Sequence, residues 1–213
     1  MRTRIKICGL TREADVIAAI EAGADALGFV CYPKSPRYVA PARLRHLSRE
    51  LSVFATPVLL FVNAAPDLVE GALEVMPDAL LQFHGDEHEQ ACSRYGHPYM
   101  RAVAVSDEVD LLDFERDFHS AAALLADAPS EGFGGAGKAF DWSRIPTQRK
   151  KPLVLAGGLN AENVAAAIRL VRPYAVDVSS GVEDEPGIKN AARIRQFIDA
   201  VLEADQRPTD RAA

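Results

Sequence analysis

The chain has 213 residues, 48% of them hydrophobic and 25% charged, a balance that suits one globular domain with a sizeable core. Its net charge of −6 leaves no basic footprint for nucleic acid, and no stretch approaches the ~20 apolar residues of a membrane span. The N-terminal run lacks a signal-peptide pattern, and three cysteines (Cys8, Cys31, Cys92) without paired spacing argue against a disulfide framework or a zinc site. A protein of the reducing cytoplasm is expected.

Taken in chain order, strand-like apolar runs occupy residues 4–8, 26–32, 57–63, 79–84, 99–105, 122–127, 152–157 and 175–179. Stretches with helical spacing lie between them, among them 13–22, 41–51, 66–76 and 160–171, and a last helix is expected over 190–203. Start signals accompany several: Thr11 ahead of Glu13, Pro66 opening the third helix, and Asn160 ahead of the helix that follows strand seven. Strands alternating with helices imply parallel βαβ units, and eight of them imply a single α/β domain of the (β/α)8 TIM-barrel class. The sixth unit is the weak one. After Asp127 comes a glycine-rich run, and only 141–145 has room for a helix, so a shortened or missing sixth helix is expected. Residues 1–204 form the expected barrel, and the polar 205–213 segment is expected to fray.

Active sites of such barrels gather at the C-terminal ends of the strands. Those ends hold a thiol, Cys8; an acid, Asp127; a histidine, His84; a di-glycine, Gly157-Gly158; and Ser179-Ser180-Gly181. Small-residue loops after strands seven and eight, beside helix N-termini, suit a phosphate dianion, although any one such loop is often just a tight turn. Side-chain alternation puts Cys8 on one face with Lys6, opposite Ile5 and Ile7, and therefore pointing into the mouth; it does the same for Asp127. Cys31 is the rival thiol, and Cys92 reads as packing. By the same alternation Lys6 and Asp177 lie one layer deeper on neighbouring strands, and a buried lysine there calls for that carboxylate. Ser35-Pro36-Arg37 is a rigid turn presenting a guanidinium suited to a carboxylate. His84 with His88 lacks a third ligand, so His84 is assigned hydrogen bonding near the substrate rather than metal. Gly132-x-Gly134-x-x-Gly137 formally matches a dinucleotide fingerprint, but no full helix follows; a flap over the substrate is the better reading.

Together these residues resemble the phosphoribosylanthranilate isomerase family of tryptophan biosynthesis. The resemblance rests on Lys6-Ile7-Cys8-Gly9-Leu10-Thr11, Lys34-Ser35-Pro36-Arg37, Gln82-Phe83-His84-Gly85, Gly134-Gly135-Ala136-Gly137 with Phe140-Asp141-Trp142, Leu155-Ala156-Gly157-Gly158-Leu159, and Val176-Asp177-Val178-Ser179-Ser180-Gly181-Val182-Glu183. Phe83 stands where the family commonly has Leu, Ala136 where it has Thr or Ser, and Cys31 where an aromatic residue is frequent. The resemblance implies an Amadori rearrangement of a phosphoribosyl anthranilate, without cofactor or metal. It makes Asp127 the general acid and Cys8 the general base, sets Arg37 at the anthranilate carboxylate, and puts Gly158, Ser180 and Gly181 at the phosphate. A thiol is a base only when ionised, near pH ~8.5 when free, and Lys6 and helix N-termini are expected to ease that; burial is expected to help Asp127 keep its proton. A histidine-pathway sugar isomerase fits less well, because an Asp would end strands one and five, where Cys8 and Ala104-Val105 stand. A phosphate-binding barrel without catalysis would lack the acid or the base, and both are present.

Overall fold

The computed structural model describes residues 2–106, 108–129 and 140–206. Eight parallel strands close a barrel in sequential order: β1 (Arg4–Cys8), β2 (Ala26–Val30), β3 (Thr56–Phe61), β4 (Leu80–Phe83), β5 (Tyr99–Ala104), β6 (Ala123–Asp127), β7 (Leu153–Leu155) and β8 (Ala175–Val178). Outside them run α1 (Glu13–Ala22), α2 (Pro41–Leu47), α3 (Pro66–Val75), α4 (Glu89–Ser93), α5 (Leu111–Asp117), α6 (Val164–Val171) and α7 (Ala191–Gln206). Between β6 and β7, where a shortened or missing sixth helix is expected, the described residues hold only a 3-10 turn, Trp142–Arg144. None of the described helices is long and apolar enough to cross a membrane.

Alternation along each strand sorts the side chains into two shells. Ile5, Ile7, Leu27, Phe29, Leu59, Phe61, Leu81 and Phe83 face the helices and make the main core with Val16, Leu44, Val69, Val164 and Phe197. Val58, Met100, Ala102, Leu125, Val154, Ala156 and Ala175 fill the barrel interior. Above them, at the C-terminal rim, Cys8 packs with Val30, Leu60 and Val62. Bulky apolar side chains thus dominate the helix-facing side, with buried Arg101 of β5 an exception, and the inward faces add Lys6, Gln82 and Asp177 to smaller aliphatic residues.

Two helix starts and one helix end differ from expectation, each for a local reason. Thr11 does not cap α1; Arg12 holds the cap position, and the Thr11 hydroxyl donates to Gly187 O at 2.5 Å. Asn160 opens a turn rather than the helix: its Oδ1 accepts from the N–H groups of Glu162 and Asn163, and α6 begins at Val164. α7 continues to Gln206, held because Asp205 accepts hydrogen bonds from the Thr3 N–H and hydroxyl at 2.6 and 2.8 Å. One element was not read from the sequence at all. Glu183–Glu185 (β9) and Ile188–Lys189 (β10) form an antiparallel hairpin on the rim. Pro186-Gly187, with Gly187 at φ 83°, was the available turn signal. Strands of two and three residues, mostly charged, carry too little alternation to be noticed. The hairpin is tied down by Arg12 Nη2 donating to Lys189 O at 3.1 Å and by the Lys189 N–H donating to buried Asp15 at 3.2 Å.

Candidate active site at the C-terminal rim

Cys8 ends β1 with its side chain turned inward, and its Cα pairs with Gly28 of β2. A Cβ on Gly28 would sit 2.8 Å from the Cys8 sulfur and 3.1 Å from Lys6 Nζ. The missing side chain is therefore the space in which thiol and ammonium meet, a role for Gly28 that periodicity alone does not disclose. Lys6 Nζ also lies 2.9 Å from Asp177 Oδ1, with side-chain exposures of 4% and 9%. Register places the two directly opposite across the β1–β8 seam, as expected from alternation. Burial disfavours the Lys6 ammonium, but Asp177 and Cys8 outweigh it and hold the group above the usual lysine value.

Burial pushes the Cys8 thiol up, against the downward pull of Lys6; Asp177 adds to the rise, Lys189 opposes it, and the net direction is upward. The expected lowering by positive charge is thus present but loses to desolvation, which costs more for a fully enclosed thiolate than one neighbouring ammonium returns. Lys6→Met should destabilise the fold by about 3–5 kcal/mol, because Asp177 is left buried without its cation. It should also move the acidic limb of the kcat/KM profile to higher pH, since a base works deprotonated and loses its nearest stabilising charge. Denaturant unfolding and a pH–rate profile check both; an unmoved limb would detach Lys6 from the thiol.

Across the mouth, Asp127 ends β6 facing inward and nearly enclosed. Its Oδ1 accepts the Ala128 N–H at 2.8 Å, and its Oδ2 is 3.2 Å from His84 Nε2. The other ring nitrogen, Nδ1, is 3.0 Å from Gln82 Nε2. Gln82 thus meets one nitrogen of His84, and the other lies beside the Asp127 carboxylate. Gly157, at φ 81°, lets β7 close on the same acid: a Cβ there would fall 2.6 Å from Ala128 N and 3.0 Å from Asp127 Oδ1. His88 serves elsewhere, its Nδ1 accepting the Ala91 N–H at the start of α4. Among the described residues no three His, Cys, Asp or Glu side chains converge as for a metal ion.

The loops after β7 and β8 touch. A Cβ on Gly181 would lie 2.0 Å from Leu159 O, so only glycine allows this contact. Asn163 Nδ2 donates to Gly158 O at 2.9 Å and pins the first loop to α6. Among the described residues the N–H groups of Gly158, Ser180 and Gly181 make no hydrogen bond, and they lie on these two touching loops. Such a set of unspent donors suits an anion. Ser179 is held by Lys189, whose Nζ donates to its carbonyl at 3.1 Å and its hydroxyl at 3.3 Å.

Lys189 also donates to Glu183 Oε1 at 2.7 Å, and Glu183 in turn takes both Nε and Nη2 of Arg37, at 2.8 and 2.7 Å. Burial alone would raise the Glu183 carboxyl; hydrogen bonds and charge from Arg37 and Lys189 outweigh it and hold it below the usual range. Arg37 is aimed by its own turn, where the Ser35 hydroxyl accepts the Arg37 N–H at 3.1 Å. A Cβ on Gly9 would meet Arg37 Cδ at 2.5 Å and Ser179 Oγ at 3.0 Å, which places Arg37 on the floor between Cys8 and the β8 loop. Glu183 stood in the sequence motif without a role, and Lys189 was missed, because its contacts depend on the unread hairpin.

The structure thus gathers Cys8, Asp127, His84, Arg37, Gly157, Gly158, Ser179, Ser180 and Gly181 on one rim. Cys31 does not join them. It belongs to the helix-facing core, and burial pushes its thiol up to about 12. Cys92 is packing on α4. The glycine run 132–137, read as a flap, lies outside the described residues. A cavity of 330 Å³ opens towards the N-terminal ends of the strands, lined by Arg4, Lys6, Phe54, Val58, Met100 and Val154 among others.

A closed parallel barrel with an inward thiol, a carboxylate across from it and two abutting small-residue loops at the strand ends defines a (β/α)8-barrel enzyme equipped for acid–base chemistry. A family model described as N-(5'-phosphoribosyl)anthranilate isomerase matches residues 5–200, and the chain belongs to that isomerase family. An N-(5'-phosphoribosyl)anthranilate isomerase of Methylibium petroleiphilum is 58% identical over 207 residues, 97% of each chain. The crystal structure of phosphoribosyl anthranilate isomerase from Thermotoga maritima superposes with a TM-score of 0.85 at 41% identity, covering 94% of this chain and 99% of that one. Another structure of the enzyme, in complex with reduced 1-(o-carboxyphenylamino)-1-deoxyribulose 5-phosphate, gives a TM-score of 0.80 at 38% identity, over 94% and 99% of the two chains.

Proposed function

We propose that this chain converts N-(5'-phosphoribosyl)anthranilate to 1-(2-carboxyphenylamino)-1-deoxyribulose 5-phosphate with Asp127 as general acid and Cys8 as general base. The observation that carries this assignment is the pair itself: an acid on β6 and a thiol on β1, both turned into one mouth above two abutting loops with unspent N–H groups. Asp127 delivers its proton to the ribose ring oxygen, the C–O bond opens, and the anthranilate nitrogen lone pair forms the Schiff base. The Cys8 thiolate then removes the C2' proton, and the enolamine tautomerises to the ketone. Burial raises the Cys8 thiol, and only its ionised form can serve as this base. The family relative crystallised with the reduced product analogue carries both a carboxylate and a phosphate on its ligand. Here Gly158, Ser180 and Gly181 receive the phosphate, with Gly157 and Ser179 shaping their loops, and Arg37 receives the carboxylate. Glu183 occupies the Nε–Nη2 side of the guanidinium, so the substrate carboxylate meets Nη1.

The test is turnover of phosphoribosylanthranilate followed by loss of its fluorescence; a folded protein that leaves the fluorescence unchanged would end the reading. Arg37→Ala should raise KM roughly thirtyfold, about 2 kcal/mol of charge-assisted binding, with a smaller effect on kcat. A sugar phosphate lacking the anthranilate ring should bind the variant nearly as well as the wild type. Equal weakening of both ligands would move Arg37 to the phosphate.

A further inference from the structure

Gln82 is fully buried on the inner face of β4, two residues before His84, in a barrel interior otherwise filled mainly by aliphatic side chains. Its Nε2 lies 3.0 Å from His84 Nδ1, while its Oε1 has no partner among the described residues. An interior amide with one end spent on a single imidazole nitrogen and the other end unsatisfied is costly, and the fold keeps it under the candidate acid. We propose that Gln82 is a positioning residue: its amide N–H donates to Nδ1, fixes His84 as the Nε2–H tautomer, and thereby makes His84 a hydrogen-bond donor to Asp127.

An amide nitrogen only donates, so Nδ1 must be the accepting nitrogen, and a neutral imidazole then carries its proton on Nε2. His84 Nε2 lies 3.2 Å from Asp127 Oδ2, close enough for its N–H to be turned onto that oxygen, while the Ala128 N–H holds Oδ1 at 2.8 Å. When Asp127 gives its proton to the ring oxygen, the carboxylate left behind has the Ala128 N–H on one oxygen and the Nε2–H of His84 beside the other, and a small turn of the imidazole completes the second bond. The other tautomer reverses the effect. A bare Nε2 would accept the Asp127 proton, and the acid would be spent on the imidazole instead of the sugar. Gln82 touches no reacting atom, and it acts by choosing between these two states. Neither Gln82 nor His84 draws attention as a chain from sequence, since Asp127 lies forty-odd positions on and only barrel closure brings β6 to His84.

This inference rests on Asp127 being the acid, and the experiment separates the two. Long-range 15N–1H correlation on the wild-type protein, with the His84 signals identified by their loss in His84→Gln, reads the tautomer directly. The expected result is a lone pair on Nδ1 and the proton on Nε2. A proton on Nδ1, in the neutral or the cationic ring, overturns the proposal. Gln82→Met keeps the volume and removes the donor; it should mix the tautomers and lower kcat on the order of tenfold, the worth of one buried hydrogen bond, with KM within about twofold. A folded Gln82→Met protein with wild-type kcat and an unmixed Nε2–H signal overturns it too. If that variant does not fold, the wild-type tautomer decides. Full turnover in Asp127→Ala would instead remove the acid assignment while leaving the tautomer result standing.

Discussion

Cys8→Ala should lower kcat by about 10²–10⁴-fold while KM stays close to the wild-type value. The size follows from losing the group that takes the C2' proton. The specificity of the loss follows from the architecture, because the loops after β7 and β8 and the Arg37–Glu183 pair are held by Asn163, Lys189 and Ser35, none of which leans on the thiol. Alanine at this position leaves a small gap beside Gly28 and costs some packing with Val30 and Leu60, so unfolding should be measured beside turnover. Cys31→Ala is the matched control, since it deletes a thiol of the helix-facing core that does not reach the mouth. Near-normal kcat in Cys8→Ala would end the base assignment. The pH profile supplies an independent check on the same residue. With the thiol raised, kcat/KM should climb as pH increases through its ionisation, and that limb should vanish from any residual activity of the alanine variant.

Asp127→Asn should be comparably damaging, and for two reasons that can be separated. An amide has no proton to deliver to a ring oxygen with useful driving force. It also breaks the local hydrogen bonding: the carboxylate accepts from the Ala128 N–H at one oxygen and faces His84 at the other, whereas an amide offers one acceptor and one donor. Asp127→Ala removes the donor conflict and leaves only the missing acid, so similar losses in both variants point to the proton as the cause. The double variant Cys8→Ala/Asp127→Asn should be far less impaired than the product of the single defects, because both groups serve one reaction path. A strictly multiplicative loss would argue that acid and base act independently.

The order of elements was legible because it depends on local pattern. The bounds of β1 and α1 are read to the residue, and most others to within a few positions, from apolar runs, alternation and helix-start residues. Alternation also assigned the facing of Cys8 and Asp127, since a period of two fixes which side chains share a face. With eight parallel strands, closure makes the first and last strands neighbours, so the Lys6–Asp177 pair, 171 positions apart, could be expected from order alone. What resisted reading were short charged strands and partners whose meeting depends on exact placement. Glu183 takes Arg37 across 146 positions through a hairpin too short to show a period. His84 meets Asp127 only because the barrel curvature brings the ends of β4 and β6 within reach across the mouth, and Gln82 then becomes part of the same chain.

The chain's own residues thus determined a closed (β/α)8 barrel, the rim on which chemistry sits, and the thiol, acid and small-residue loops displayed there. Those follow from periodicity and strand order, which are properties of neighbours along the chain. The tertiary structure alone decided whether Cys8 is eased or hindered in ionising, because that is the sum of opposing burial and charge effects whose sign depends on distances and enclosure. It likewise decided which groups hold Arg37, Ser179 and Asp127 in place, since each is met by a residue from a different turn of the barrel.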